Sequence, residues 1–343
     1  MRQAMRAAVY RGEQVLQVEE LPDPTPGPGQ VVMRVRYSAI CGTDVHAFMY
    51  DLAHPGTVMG HEYTGSIVDV GPGVTRWKPG DRVTGGGGHA PPGAGPATRT
   101  HPRFNYRTMG FQQNARPRGY AEYVLLDEWE PTPVPDDVTD EQAALCEPCA
   151  VTVHAVRLSD IKLGDAVVVL GAGPIGLLCM QTARAAGATT VIVSEPAPGR
   201  AEAARRLGAD AVLNPLEGNL EEQVLELTAG VGPQVVFECA AAPSTMEQAL
   251  DLSARGGQVV MLAIAWEPTA VLPPNWMARE VRMQSSFGTQ PEDWRIALEL
   301  MRTGRVSVDH MLNDTNFVPL EGIQDAFEAL CRPTRELQMV VAL

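Results

Sequence analysis

The feature that most constrains this chain is a rhythm between residues 165 and 261, in which a strand-like run, a turn and a helix-like run recur in order. "AVVVL", "TVIVSE", "AVLN", "QVVFECA" and "QVVMLAI" are short runs rich in β-branched residues. Between them lie "PIGLLCMQTARAAG", "PGRAEAARRLG", "NLEEQVLELTAG" and "STMEQALDLSARGG", which are built from helix formers. Strands this apolar are buried on both faces, and a helix after each strand returns the chain to the same end of the sheet. The expected fold class is therefore α/β, with a doubly wound parallel sheet.

The rest of the chain has a different texture. The first ~150 residues hold β-type pieces, "VVMRVRYSAI", "TGSIVDV" and "YAEYVLL", separated by clusters such as "PDPTPGPGQ". They predict an antiparallel, barrel-like half. "TDEQAALCEPCAVTVHAV" opens with the capping-box pair Thr139 and Gln142 and reads as helix broken at Pro148, a bridge between domains. After about residue 290 come one more helix, "EDWRIALELMRTGRV", and a closing strand, "ELQMVVAL". Residues 1–152, completed by 290–343, are thus expected to form one domain, with 153–289 inserted into it as a second. Two domains suit 343 residues.

Composition excludes several classes. A content of 45% hydrophobic and 20% charged residues is ordinary for a globular chain, and a net charge of −14 opposes the positive field that nucleic acid or anionic lipid requires. No apolar run reaches membrane-spanning length and the start "MRQAMRAAVY" lacks a signal-peptide core, so the expected location is cytoplasmic. Six cysteines in so long a chain do not make a disulfide framework. Each is read as core filler, ligand or nucleophile.

Gly171, Gly173 and Gly176 in "VVVLGAGPIGLL" form G-x-G-x-x-G between a buried strand and a helix beginning at Pro174 and Ile175. The first glycine permits the tight turn, the second lets a pyrophosphate approach the backbone, and the third lets helix and strand pack closely. The free N–H groups of the helix start then face the phosphates. This is the Rossmann fingerprint. Glu195 stands where an acidic side chain accepts hydrogen bonds from the adenosine ribose, and its charge favours NAD over NADP, although Arg200 lies close enough to meet a 2′-phosphate. The alternative is that Glu195 caps the next helix and Arg200 is a surface charge.

"CGTDVH", residues 41–46, and "GHEYTGSIVDVGPGV", residues 60–74, hold a ligand set for zinc. A catalytic zinc site takes three protein ligands and keeps one position open; Cys41, His61 and Glu62 supply three, and Glu147 is a candidate fourth. On their own these stretches also read as a turn with a buried cysteine and a polar corner. Cys146 and Cys149 form C-x-x-C without a second pair nearby, so packing is the expected role.

The combination of "CGTDVH", "GHEYTG" continuing to "VGPGV", "GDRV" and "GAGPIG" resembles the zinc-dependent medium-chain dehydrogenases/reductases in the family's order over almost the whole chain. "EPCAVTVHAV" is similar to the polyol branch, with sorbitol, threonine and 2,3-butanediol dehydrogenases. The resemblance implies a GroES-like β-rich catalytic domain beside the Rossmann domain. It implies zinc on Cys41, His61 and Glu62, with Glu147 bound directly or through water. Zn²⁺ with one thiolate, one imidazole and one carboxylate sums to zero, and a second carboxylate would weaken its pull on substrate, so Glu147 is expected to be an exchanging ligand. Thr43 and His46 stand where the family places its proton relay, and Asp44 would orient His61.

The implied reaction moves a hydride between NAD(H) and a secondary alcohol or ketone, with a vicinal diol, hydroxyketone or cyclitol-like polyol favoured. Rival readings are a zinc-independent quinone or enone reductase and a non-enzymatic nucleotide-binding protein. Common family members carry clustered cysteines around a second, structural zinc after "GDRV". Here no cysteine lies between Cys41 and Cys146, and His89 and His101 do not close a four-ligand site, so one zinc per chain is expected. The strand pair near "VVMLAI" and "VRMQSSFG" is expected at a sheet edge that a homodimer or homotetramer would cover.

Overall fold

The structure, a computed structural model, describes residues 4–85, 116–332 and 338–343. They form two compact units: Met1–Glu147 with Gln290–Leu298 and Met311–Leu343, and Pro148–Thr289 with Glu299–His310. The first division falls at 147/148 rather than 152/153. The second passes through a helix, so residues 299–310 group with the nucleotide unit, whereas the sequence reading assigned all of 290–343 to the other.

In the first unit β1 (Ala4–Gly12) and β2 (Val15–Pro22) make an antiparallel hairpin. β3 (Gln30–Ala39) leads into α1 (Gly42–Met49), followed by β4 (Glu62–Val70), β5 (Arg82–Gly85), β6 (Tyr123–Asp127) and β7 (Thr132–Pro133). α2 (Asp140–Ala144) starts at the expected capping box, with Thr139 and Gln142 each accepting from the other's backbone N–H. α3 (Cys146–Leu158) follows after a break at Leu145. The reading of a break at Pro148 is corrected. Pro148 lies in the first turn of α3, where its missing N–H has no intrahelical acceptor to lose.

The second unit runs β8 (Ala166–Leu170), α4 (Pro174–Ala185), β9 (Thr190–Ser194), α5 (Pro198–Arg206), β10 (Ala211–Leu213), α6 (Leu220–Leu227), β11 (Val235–Glu238), α7 (Thr245–Leu252), β12 (Gln258–Met261), α8 (Pro273–Met277) and β13 (Arg282–Ser285). α9 (Pro291–Arg302) is the helix that the division crosses; β14 (Phe317–Pro319), α10 (Ile323–Leu330) and β15 (Val340–Ala342) return to the first unit.

The second unit's sheet has the order β10-β9-β8-β11-β12-β13 and every pairing is parallel. In chain order that is 3-2-1-4-5-6, which reverses between β8 and β11 and opens a crevice at their carboxyl ends. Alternate residues Val168, Leu170, Ile192, Val236 and Val259 pack with Val224, Met246, Ala249 and Leu250 from α6 and α7. Val167, Val169, Val191 and Val193 on the other face are buried too, as continuous apolar strands require. β13 is an edge strand; β12 lies inside the sheet, which corrects the expectation that both stood at the edge.

The first unit's larger sheet has the order β14-β15-β3-β4-β5-β7, with β6 also on β3. Its antiparallel ladders β15-β3, β3-β4 and β4-β5 bring the closing strand against β3, as the return of the C-terminal segment predicts. A separate aromatic core lies beneath α1. Phe48 and Phe327 have ring centroids 5.3 Å apart, and Tyr120 meets Phe327 edge-on at 5.8 Å.

Candidate functional site

Three side chains of the first unit converge at the start of α1 and β4. Cys41 is the N-cap of α1, and its Sγ accepts a long hydrogen bond from Thr43 N at 3.5 Å. Neighbours in a regular strand point to opposite faces, so His61 and Glu62 share a site only because the chain is irregular before β4. Gly60 holds φ +94° there, in the left-handed region that favours glycine. The ligand atoms of Cys41, His61 and Glu62 all lie within 4.8 Å of one another. Among the described residues no second such cluster occurs. His89 and His101, with most of the glycine-rich stretch, fall in 86–115, outside the described residues.

Two buried side chains hold this trio from outside. Asp44, 1% exposed, places Oδ1 3.4 Å from His61 Nδ1 and accepts on Oδ2 a 2.6 Å hydrogen bond from the Tyr120 hydroxyl. Gln338 Nε2 donates to the Ile40 carbonyl at 2.9 Å and to Glu62 Oε2 at 3.3 Å. The sequence reading expected Asp44 beside His61 but missed Tyr120 and Gln338. Alternation in "GYAEYVLL" signals only that Tyr120 is a strand-like residue, and nothing local marks its hydroxyl for a partner 76 positions away.

Burial sets the electrostatics. It pushes the Cys41 thiol up to about 11, with the Glu62 carboxylate adding to the rise. Glu62 is pushed up to about 8, by burial first and by Glu147 second, and burial raises Glu147 as well. For His61 burial acts downward, but Asp44 and Cys41 outweigh it and hold the imidazole well above its usual range. The imidazole only partly offsets the burial of these acids, and a divalent cation adds the positive charge that releases their protons. One sulfur, one imidazole and one carboxylate are a donor set that suits zinc. Glu147, in the first turn of α3, lies outside the trio and acts on it through charge.

Thr43 and His46 lie on α1 with Cys41 at its cap, both half-buried. Burial lowers the His46 imidazole pKa, and its ring stacks on Tyr50 at 6.0 Å. Cys146 and Cys149 are buried free thiols; Cys146 Sγ faces the Trp294 carbonyl at 3.7 Å, and burial pushes Cys149 up to about 12. Both behave as core residues.

In the second unit, Gly171 turns the chain at φ +95°, and a Cβ on Gly176 would lie 2.0 Å from the Gly171 carbonyl oxygen. A Cβ on Gly173 would meet nothing within 4 Å. Gly173 is also the N-cap of α4, which has Pro174 in its first turn, with Ile175 following, and no side-chain cap. Open space over uncapped N–H groups fits a pyrophosphate. Glu195, 5% exposed at the end of β9, accepts from Ala172 N and Ala197 N at 2.8 Å each. It ties the glycine turn to the entry of α5, and each oxygen keeps a lone pair for a ribose hydroxyl. Arg200 is half-buried on α5.

Comparison with known proteins agrees with both halves. Residues 174–303 match the zinc-binding dehydrogenase family and residues 27–136 the alcohol dehydrogenase GroES-like domain. The chain is 33% identical to (R,R)-butanediol dehydrogenase of Bacillus subtilis, over 98% of this chain and 99% of that one. It is 35% identical to sorbitol dehydrogenase of Halalkalibacterium halodurans, over 84% and 85%. A crystal structure of a zinc-binding dehydrogenase from Sinorhizobium meliloti bound to NADP superposes with a TM-score of 0.88, at 32% identity over 100% of both chains.

Proposed function

The chain belongs to the zinc-binding, GroES-like alcohol dehydrogenases, polyol dehydrogenase branch, and on that premise we propose that it interconverts a secondary alcohol and its ketone with NAD(H) and one zinc ion per chain. The observation that carries this reading is the convergence of Cys41, His61 and Glu62, whose ligand atoms lie within 4.8 Å of one another. A zinc-independent reductase has no use for it, and a non-catalytic nucleotide binder has no use for the Thr43 and His46 beside it.

A zinc ion held by Cys41, His61 and Glu62 would supply the Lewis acidity that makes the substrate hydroxyl more acidic, and a nicotinamide cofactor held by the second unit would supply the hydride acceptor. The side chains do the rest. Cys41, His61 and Glu62 hold the ion with zero net charge, and Asp44 orients His61. Glu147 is the exchanging group, close enough to raise Glu62 yet outside the trio. Thr43 and His46 carry the substrate proton away; burial lowers the His46 pKa and so favours the neutral imidazole, the form with a free nitrogen for a relayed proton.

In the second unit the Gly171, Gly173, Pro174, Ile175 and Gly176 turn binds the pyrophosphate, and Glu195 binds the ribose. NAD is favoured because a carboxylate there repels a 2′-phosphate; Arg200 is the residue that would carry any NADP activity. The substrate is a vicinal diol, hydroxyketone or cyclitol-like polyol, in keeping with the names of the relatives. A homo-oligomer and a cytoplasmic location belong to the same proposal. The first is supported by the edge position of β13 with Met283 and Phe287 exposed. For the second, no described helix is long and apolar enough to cross a membrane.

The decisive experiment follows reduced-nicotinamide absorbance over a panel of diols and polyols, with NAD and NADP in parallel, beside a metal assay. One zinc per chain with NAD-linked oxidation of a vicinal diol is expected. Turnover in zinc-free protein would sink the zinc reading, and two ions per chain would sink the single-site reading.

A further inference from the structure

We propose that Tyr120 is a positioning residue for the metal ligand His61, acting through Asp44. The proposal rests on the zinc reading above and adds a residue that the ligand pattern does not contain. The chain of contacts is short, and its Tyr120–Asp44 part is buried. The Tyr120 hydroxyl donates to Asp44 Oδ2 at 2.6 Å, and Asp44 Oδ1 stands 3.4 Å from His61 Nδ1. Tyr120 is 0% and Asp44 1% exposed, so water does not replace either partner. With Nδ1 turned to Asp44, the imidazole has Nε2 left for a metal ion.

The backbone registers Tyr120 against the ligand as tightly as the side chain does. Residues 58–60, which lead into His61, pair with 118–120: Arg118 N donates to Val58 O at 3.3 Å, Gly119 N to Gly60 O at 3.0 Å and Tyr120 N to Met59 O at 3.0 Å. Gly60 leaves room for this approach, since a Cβ on it would lie 2.9 Å from both the Tyr120 ring and its N atom. On the far side the ring is fixed edge-on against Phe327. The phenol oxygen is therefore delivered to Asp44 by a ring that cannot swing.

Packing alone does not explain a tyrosine here. Contacts to Gly60 and Phe327 use the ring, which phenylalanine would supply equally. What the hydroxyl adds is a donor to a buried carboxylate that faces a metal ligand. Without it, Asp44 Oδ2 is left buried and unpartnered, apart from whatever the carboxylate gains by rotating. Rotation moves Oδ1 relative to Nδ1, and His61 loses its fixed orientation.

The test is Tyr120→Phe, with zinc affinity measured by competition against a chromophoric chelator. Groups outside the ligand shell typically contribute 10–100-fold to metal affinity, and about tenfold weaker zinc binding is expected, whereas a purely structural hydroxyl would lower the melting temperature of the zinc-free protein and leave zinc affinity unchanged. Tyr120→Phe is also made in an Asp44→Asn background, where it should have no further effect because the pathway is already cut. A spectroscopic arm uses cobalt-substituted protein, whose visible bands report ligand geometry and should shift in Tyr120→Phe. Wild-type affinity and an unshifted cobalt spectrum in the variant overturn the proposal, as do additive losses in the double variant. Wild-type protein that binds no zinc overturns the reading beneath it, a result readily told apart from these.

Discussion

His310 keeps both ring nitrogens buried without a hydrogen-bond partner among the described residues, and burial pulls its pKa down to about 4, with Asp309 opposing weakly. The unfolded chain takes up this proton near pH 6.5 and the folded chain only near 4, so protonation favours unfolding. The contribution of His310 to stability is complete above about pH 6.5 and declines as pH falls toward 4, by at most about 3 kcal/mol. Melting temperatures between pH 7 and 5 should fall less steeply in His310→Leu than in the wild type; parallel slopes would contradict this. Arg200 offers a second test at this scale. Arg200→Ala should reduce kcat/KM with NADP and leave that with NAD unchanged, and an equal loss with both would remove Arg200 from cofactor choice. Residue types were legible where they bear the chemistry: Cys41, His61 and Glu62 are recognisable as donors before any fold is known. Tyr120 and Gln338 were not, because a phenol or an amide becomes informative only once its partner is known.

Elements were legible where their order is local. Strand, glycine turn and helix between 165 and 261 follow from periodicity and from helix formers, and the capping box at Thr139 formed as spelled. The β1–β2 hairpin was missed because its turn residues, Glu13 and Gln14, hold φ +53° and +61°, angles that asparagine and glycine normally signal. The glycine turn makes an element-scale prediction by contrast. Gly176→Ala drives a Cβ into the Gly171 carbonyl and should cost about 3 kcal/mol or more through displaced backbone. Gly173→Ala meets open space at φ −69°, so melting should hold while cofactor binding weakens about tenfold, equivalent to about 1.4 kcal/mol. Equal destabilisation in both variants would show that the space over Gly173 is not kept for a ligand.

For the whole molecule, the metal-type donors lie in one unit and the glycine turn in the other. Chelation should therefore abolish turnover while the quenching titration with reduced cofactor keeps its affinity; loss of cofactor binding on zinc removal would contradict that separation. By itself the sequence determined the parallel sheet, the glycine turn after β8, the return of the closing strand and the three donor-type residues, since each is written in local pattern or residue chemistry. Tertiary structure alone decided how those donors are held. Tyr120 reaches Asp44 across 76 positions and Gln338 reaches Glu62 across 276, and a hydrogen bond between residues so far apart leaves neither a period nor a motif in the chain.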